Sequence, residues 1–437
     1  MPRPEKESGV RTLWGRILSC AGLESRLGER VTNPLQVRNL PYVLLLCAVL
    51  ALSGQTRTVT DAEVMRVHRA AGLIDTHNDL PWRVAEGFDP GPPSSEWHTD
   101  LPRLKQGGVG GVFFSVYVSS SYVEGNRSAH RTLAMIDAVR NGIVKRYPND
   151  FALATTVAEI DQARRSGKIA ALMGIEGGHA IEDDLGLLRQ YYALGVRYMT
   201  LTHSNTNHWA DSSGDITKAG VQHHKGLTDF GKQVVREMNR LGMMVDISHV
   251  ADDTFWAALE TSSAPLIASH SSVRALANHP RNMTDPMITA MAKKGGVIQI
   301  NFNCGFLSEK FRAAQAAEGP AVEARFKRES AGKKLSEAQT DLLYARLRRE
   351  MKLTRATLAD VVAHIDHVRK LAGIDAVGIG SDFNGVTCVP EGLDDVSQFP
   401  NLTRALLERG YSAEDIQKIY SGNLLRVMRA VETAAGK

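Results

Sequence analysis

The 437-residue sequence predicts an α/β fold: a (β/α)8 TIM-like barrel with a helical insertion between strands 7 and 8. Two observations carry the prediction. From about residue 68 onward, eight short apolar runs alternate with segments of helical period. The runs are apolar throughout instead of alternating with polar residues, the pattern of parallel strands covered on both faces. A doubly wound open sheet competes, but no G-x-G-x-x-G turn comes after the first strand.

Residues 1–56 stand apart from this repeat. Residues 40–52 read LPYVLLLCAVLAL, with Arg30 and Arg38 before them and Ser53-Gly54-Gln55-Thr56 after. A basic stretch, a short apolar run and small residues at its end form the pattern of a signal peptide or an uncleaved anchor. The run falls short of the roughly 20 residues a membrane span needs. The expected location is therefore export (periplasmic or extracellular) or anchorage by this segment, with membrane association through it alone. The same residues hold 7 Lys+Arg against 4 Asp+Glu, so the net +4 leaves only +1 for the other 381. That balance implies no basic face for nucleic acid. Cys20, Cys47, Cys304 and Cys388 show no C-x-x-C spacing, which argues against a cysteine zinc site.

The predicted strands span residues 72–75, 109–117, 169–175, 196–201, 243–247, 266–268, 297–300 and 376–380. Between them, residues 131–146, 184–193, 227–241, 252–261 and 357–371 carry amphipathic helical patterns. Residues 308–352 break the alternation, being dense in Lys, Arg and Glu. They read as solvated helices inserted between the seventh and eighth strands, a charged surface excursion.

The residues just past each strand carry the chemistry. The first strand leads into Asp75-Thr76-His77-Asn78-Asp79, and the third into Glu176-Gly177-Gly178-His179. The fourth, fifth and sixth lead into His203, His249 and His270, and the eighth into Asp382. A barrel brings C-terminal strand ends to one mouth, so these residues should meet in space. His77 and Asp79, two apart on extended backbone, point the same way and can share an ion. Glu176 can bridge two ions with its two oxygens, and His249 and His270 can complete the second. Imidazole and carboxylate donors together suit zinc. Two metals roughly 3.5–4 Å apart would share a hydroxide and polarise a carbonyl. Blander roles exist for single residues. Asp79 could cap a helix starting at Leu80-Pro81-Trp82, His179 reads as structural, and His208, His223 and His224 read as surface residues.

The stretches around these residues resemble the membrane (renal-type) dipeptidase family, zinc peptidases of the amidohydrolase superfamily. They include residues 75–82 (DTHNDLPW), 174–179 (GIEGGH), 197–203 (RYMTLTH), 246–250 (DISHV), 268–272 (ASHSS), Arg281-Asn282 and 380–383 (GSDF). The similarity runs from about residue 68 to 430, within a barrel domain expected over residues 68–433. It implies a binuclear zinc dipeptidase with two Zn2+ per subunit, cleaving dipeptides. His77, Asp79 and Glu176 would hold one zinc, and Glu176, His249 and His270 the other. His203 would touch the substrate and the oxyanion, Arg281 would bind the substrate's carboxylate, and Asp382 would serve as acid and base. The resemblance also suggests a homodimer, and tolerance of D-residues at the second position. Another hydrolase of this scaffold, acting on a cyclic amide, lactone or β-lactam, and a silent metal-binding protein are the competing readings. Two positions depart from the family pattern, Asn384 where Asp is usual and Asn303 where Tyr is frequent. Cys304 and Cys388 should both lie in mouth loops, and whether they pair is left open.

Overall fold

A computed structural model describes residues 58–436, so the expected leader or anchor over residues 1–56 lies outside the described residues. No helix among the described residues is long and apolar enough to cross a membrane. The folded chain opens with a helix over Asp61–Ala71, capped by the Thr60 hydroxyl accepting from the Glu63 amide. Gly72 ends this helix at a φ of 57°, a left-handed turn that favours glycine. The first predicted strand therefore starts two residues late, and His77 lies on it instead of past it.

Nine strands make up the sheet: β1 (Ile74–Asn78), β2 (Gly111–Tyr117), β3 (Phe151–Leu153), β4 (Ile169–Glu176), β5 (Val196–Thr200), β6 (Met244–Asp246), β7 (Ile267–Ser271), β8 (Val297–Ile300) and β9 (Val377–Ile379). All eight predicted strands form and pair in parallel, in the order β1-β2-β4-β5-β6-β7-β8-β9. β3 was not expected. It pairs with the start of β4, Phe151 opposite Ile169, just before β5 takes over that edge with Met173 opposite Val196. The ends of the series meet where Asn78 bridges Phe383, the Asp79 amide donates to the Phe383 carbonyl (2.9 Å) and the Asp382 amide donates to the His77 carbonyl (3.0 Å). Buried Asp75 reinforces the seam, accepting from the Ser381 amide (2.8 Å) and hydroxyl (2.6 Å). The result is a nearly closed parallel barrel.

The continuous apolar runs now have a cause. Residues Ile74, Phe113, Leu172, Tyr198, Met244, Ile267 and Val297, from seven strands, join one buried cluster together with Ala170 and residues of the helices Val157–Arg165 and Asn423–Ala434. Their neighbours Val112, Phe114, Ala171, Met173 and Ile298 belong to the larger core shared with the surrounding helices. The predicted helices appear, three of the five with side-chain caps at their starts. Thr228 caps Asp229–Leu241, and Thr357 with Asp360 forms a capping box at Leu358–Ala372. The predicted helix at 131–146 begins as Ser128–Asp137 and continues with π-helical turns over Ala138–Lys145.

The insertion differs from its expected form. It holds helices Glu309–Ser330 and Glu337–Glu350, with the rings of Phe326 and Tyr344 stacked at 4.2 Å and Leu347 buried. It is not merely a solvated excursion, because Asp341 pairs with buried Arg83 at 2.9 Å. Its charge density reflects surface ion pairs such as Arg325–Glu329 (2.8 Å).

Cys304 and Cys388 form a disulfide that joins the segments after β8 and β9, 84 residues apart. Closing a loop of that length in the unfolded chain corresponds to roughly 4.5 kcal/mol in the chain-entropy account. Reduction, or Cys388→Ser, is accordingly expected to lower the denaturant midpoint of unfolding. Identical midpoints with and without reductant would show that the bridge contributes nothing.

Candidate active site

The strand ends deliver every predicted ligand to one point. Glu176 ends β4, buried to 4% exposure, and its two oxygens face different imidazoles. Oε2 lies 3.4 Å from His77 Nε2, while Oε1 lies 3.0 Å from His249 Nε2, 3.3 Å from His270 Nε2 and 3.7 Å from His203 Nε2. Asp79 Oδ2 is 3.4 Å from His77 Nε2. Three clusters with metal-ligating spacing result: His77/Glu176/His270, Glu176/His203/His249 and His77/Asp79/Asp382. Glu176 and His77 each belong to two of them.

The route of Asp79 into the site is not the expected one. Its backbone (φ −90°, ψ 21°) is not extended, and it occupies the cap position of the helix Leu80–Ala85. Asp79 is thus the cap residue the sequence allowed, but its carboxylate makes no capping hydrogen bond. Three other residues here carry left-handed backbone, His249 (φ 69°), Asp382 (φ 63°) and Asn384 (φ 70°), strain that persists only where the surroundings impose it.

The groups behind the ligands fix which ring nitrogen faces inward. Tyr198 donates its hydroxyl to the Thr76 carbonyl (3.1 Å), so the His77 Nδ1 beside it (2.9 Å) donates to the phenol oxygen and Nε2 is the nitrogen turned toward the carboxylates. Ser269 donates to Asp246 (2.6 Å), so His270 Nδ1, 2.8 Å away, donates to Ser269 and frees Nε2. Tyr198 reaches its place by lying against Gly174, where a Cβ would come within 2.0 Å of the phenol ring. Gly385 is constrained in the same manner, since a Cβ there would meet Asp79 Oδ2 at 2.3 Å and Asp382 Oδ1 at 2.5 Å.

These donors fit divalent cations. His77 Nε2 and Asp79 Oδ2 are buried with no hydrogen-bond partner. His270 Nε2, a lone pair by its tautomer, lies only 3.0 Å from His249 Nε2. Burial would depress the His77 imidazole, but Tyr198, Glu176 and Asp79 drive it well above the ordinary value. Burial would raise the Glu176 carboxyl, yet the surrounding imidazoles hold it well below its usual range. Burial and the charge of Arg281 keep His249 neutral, and burial and His77 do the same for His270. Neutral His249 and His270 beside a buried carboxylate belong to a cation's donor set, and a cation bound there would displace the extra proton of His77.

A cleft of about 280 Å³ opens over this centre. Arg281 lines it, nearly buried, donating to the His270 carbonyl (3.1 Å) and Ser271 Oγ (3.3 Å) while its buried Nε finds no partner. Asp382 lines it too. Asn301 Nδ2 donates to one of its oxygens at 2.8 Å. Burial, then the charges of Asp79 and Glu176, raise its carboxyl to about 8, against the opposing pull of His77 and Asn301. His203 is the most exposed of the clustered histidines, with 18% of its side chain accessible. Asn384 leaves the cleft and braces the Trp97–His98 segment, its Oδ1 accepting from the His98 amide at 2.8 Å. Asn303 lines the cleft while capping Cys304–Leu307. His179 stays structural, 3.0 Å from the Val118 carbonyl. His208 is exposed against Asp183, while His223 and His224 are partly buried around Asp211.

Residues 61–437 match the family model described as membrane dipeptidase (peptidase family M19). The chain belongs to the membrane dipeptidase family. It is a metallopeptidase of that family and a hydrolase. Dipeptidase verJ of Clonostachys rogersoniana is 38% identical over 380 residues, covering 84% of this chain and 85% of that protein. Two solved structures are similar at 26% identity. The probable dipeptidase PvdM from Pseudomonas aeruginosa has a TM-score of 0.72, with 86% of this chain and 98% of that one covered. A metallo peptidase from Rhodobacter sphaeroides, liganded with a phosphinate mimic of the dipeptide L-Ala-D-Ala, has a TM-score of 0.66, with 82% and 99% covered.

Trp82, Tyr117, Phe306, Val386 and Asp341 also line the cleft. Tyr117 ends β2, a strand end like the others, but a tyrosine there carries no ligand signature. Asp341 gave no signal, being one acid among many in the charged insertion.

Proposed function

We propose that this dipeptidase uses two zinc ions, and that it accepts L-D as well as L-L dipeptides. The observation that carries the binuclear reading is Glu176, whose two oxygens face separate imidazole groups. His77, Asp79 and Glu176 would hold one ion, and Glu176, His249 and His270 the other. Bound there, the ions would supply Lewis acidity toward the scissile carbonyl and the attacking water. Imidazole and carboxylate donors favour zinc.

The protein's own groups do the rest. Arg281 takes the substrate's carboxylate with its guanidinium fork, fixing the register of the peptide bond over the centre. Hydrolysis forms a C–O bond and breaks a C–N bond. Asp382 removes the proton that water gives up and returns it to the departing nitrogen, a role suited to a carboxyl whose affinity lies near neutrality. Neutral, partly accessible His203 donates to the carbonyl oxygen as its charge grows. The L-Ala-D-Ala mimic bound by the Rhodobacter relative supports acceptance of a second D-residue.

Residues 1–56 are assigned to export or anchorage, and residues 68–433 to the catalytic barrel. The Cys304–Cys388 bridge supports an oxidising compartment.

A panel of L-L and L-D dipeptides, with and without chelator, tests the reading. Both series should be cleaved, chelation should abolish turnover, and zinc should restore it at two ions per chain. Full turnover by metal-stripped protein, or saturation at one ion, would defeat it.

A further inference from the structure

The inserted helices bring a second charged group to the cleft. Asp341, on the helix Glu337–Glu350, lines the same cavity as Arg281 and the metal-ligating cluster. Its Oδ2 accepts from Arg83 Nη2 at 2.9 Å, and 28% of its side chain remains accessible. Arg83 is buried to 2% between two indoles, its guanidinium carbon 3.9 Å from the Trp82 ring centre and 4.0 Å from that of Trp97. The same Nη2 donates to the Asn384 carbonyl at 2.7 Å, two residues from Asp382. Glu86 is a further carboxylate neighbour of Arg83, at 3.7 Å.

One guanidinium thus stands between two carboxylates, and the group is one negative charge in excess. Of the two acids, Asp341 is the one that faces the cleft. Arg83, clamped by both indoles and by a main-chain carbonyl, gives that carboxylate a fixed position. Arg281 is tied to a different part of the barrel, β7 and the segment after it. The cleft therefore carries a cation on one loop and an anion on an inserted helix. A free dipeptide is a zwitterion with its two charges at opposite ends.

We propose that Asp341 is a specificity-determining residue that recognises the α-ammonium of the substrate's amino-terminal residue. The inference rests on the dipeptidase reading and deepens it. The insertion selects for an unblocked amino terminus, and so for dipeptides over internal peptide bonds.

The test is direct binding to zinc-loaded protein, by calorimetry, of a phosphinate mimic of L-Ala-D-Ala and of its des-amino counterpart. The wild type should prefer the amine-bearing mimic. Asp341→Asn, which keeps the shape and can still accept from Arg83, should shrink that preference roughly 10- to 100-fold. Asp341→Glu should recover part of it. For L-Ala-L-Ala turnover, Asp341→Asn should raise KM far more than it lowers kcat. A purely structural latch between Asp341 and Arg83 would weaken both mimics alike and leave the preference intact, and that outcome overturns the proposal. Failure of the amine-bearing mimic to bind the wild type overturns it too. Mimic binding without hydrolysis of any dipeptide would instead defeat the dipeptidase reading and leave the ammonium preference to be judged by its own ratio.

Discussion

Asp382→Asn is expected to keep its full complement of metal and lose roughly 10²- to 10⁴-fold in kcat. The amide matches the carboxylate in size, so the packing around Gly385, where a Cβ would sit 2.5 Å from Asp382 Oδ1, is preserved. It can still pair with Asn301 once the amides reorient. What it cannot do is take a proton from water and deliver it to nitrogen. Burial and the nearby acids hold the native carboxyl near 8, and dications beside it would lower it toward the ionised form that a base needs. Metal analysis and steady-state kinetics on the same preparation decide the matter. Wild-type turnover by the variant would remove Asp382 from the proton-transfer role.

Glu176→Gln should have a different signature, the loss of metal together with activity. The carboxylate presents one oxygen to His77 and the other to His249 and His270. Glutamine keeps one acceptor oxygen and replaces the other with an amide nitrogen that has no lone pair or charge to offer a cation, so one half of the bridge is lost. Affinity should fall by more than the roughly 10- to 100-fold typical of losing a supporting outer group. The stabilisation that bound ions give the folded state should fall with it. After dialysis against metal-free buffer the variant should retain less than one ion per chain and melt at a lower temperature. Retention of two ions would refute the bridging assignment.

Much of this was readable in the chain because the barrel imposes regularity. Eight apolar runs had to be buried on both faces, and the predicted ligands His270 and Glu176 stand at their ends, where backbone direction alone decides convergence. Other features were opaque for physical reasons. β3 is three residues long and finds its partner only at an edge that β4 leaves uncovered. The position of Asp79 depends on how the helix Leu80–Ala85 starts, a local geometry that residue spacing does not encode. Arg83 sits in the DTHNDLPWR stretch next to His77 and Asp79, yet its partners Trp97, Asn384 and Asp341 come from three distant segments. Asp341 carries the same charge as its exposed neighbours, and only the packing of the two inserted helices singles it out.

The covalent link between Cys304 and Cys388 has a consequence for a chain that meets proteases. The charged helices at Glu309–Ser330 and Glu337–Glu350 both lie between the two cysteines. A protease that nicks the chain anywhere in that stretch produces two fragments that stay tethered. The β9 fragment carrying Asp382 cannot diffuse away from the fragment carrying the histidines. Nicked molecules would run as one band on a gel without thiol and separate into two only after reduction.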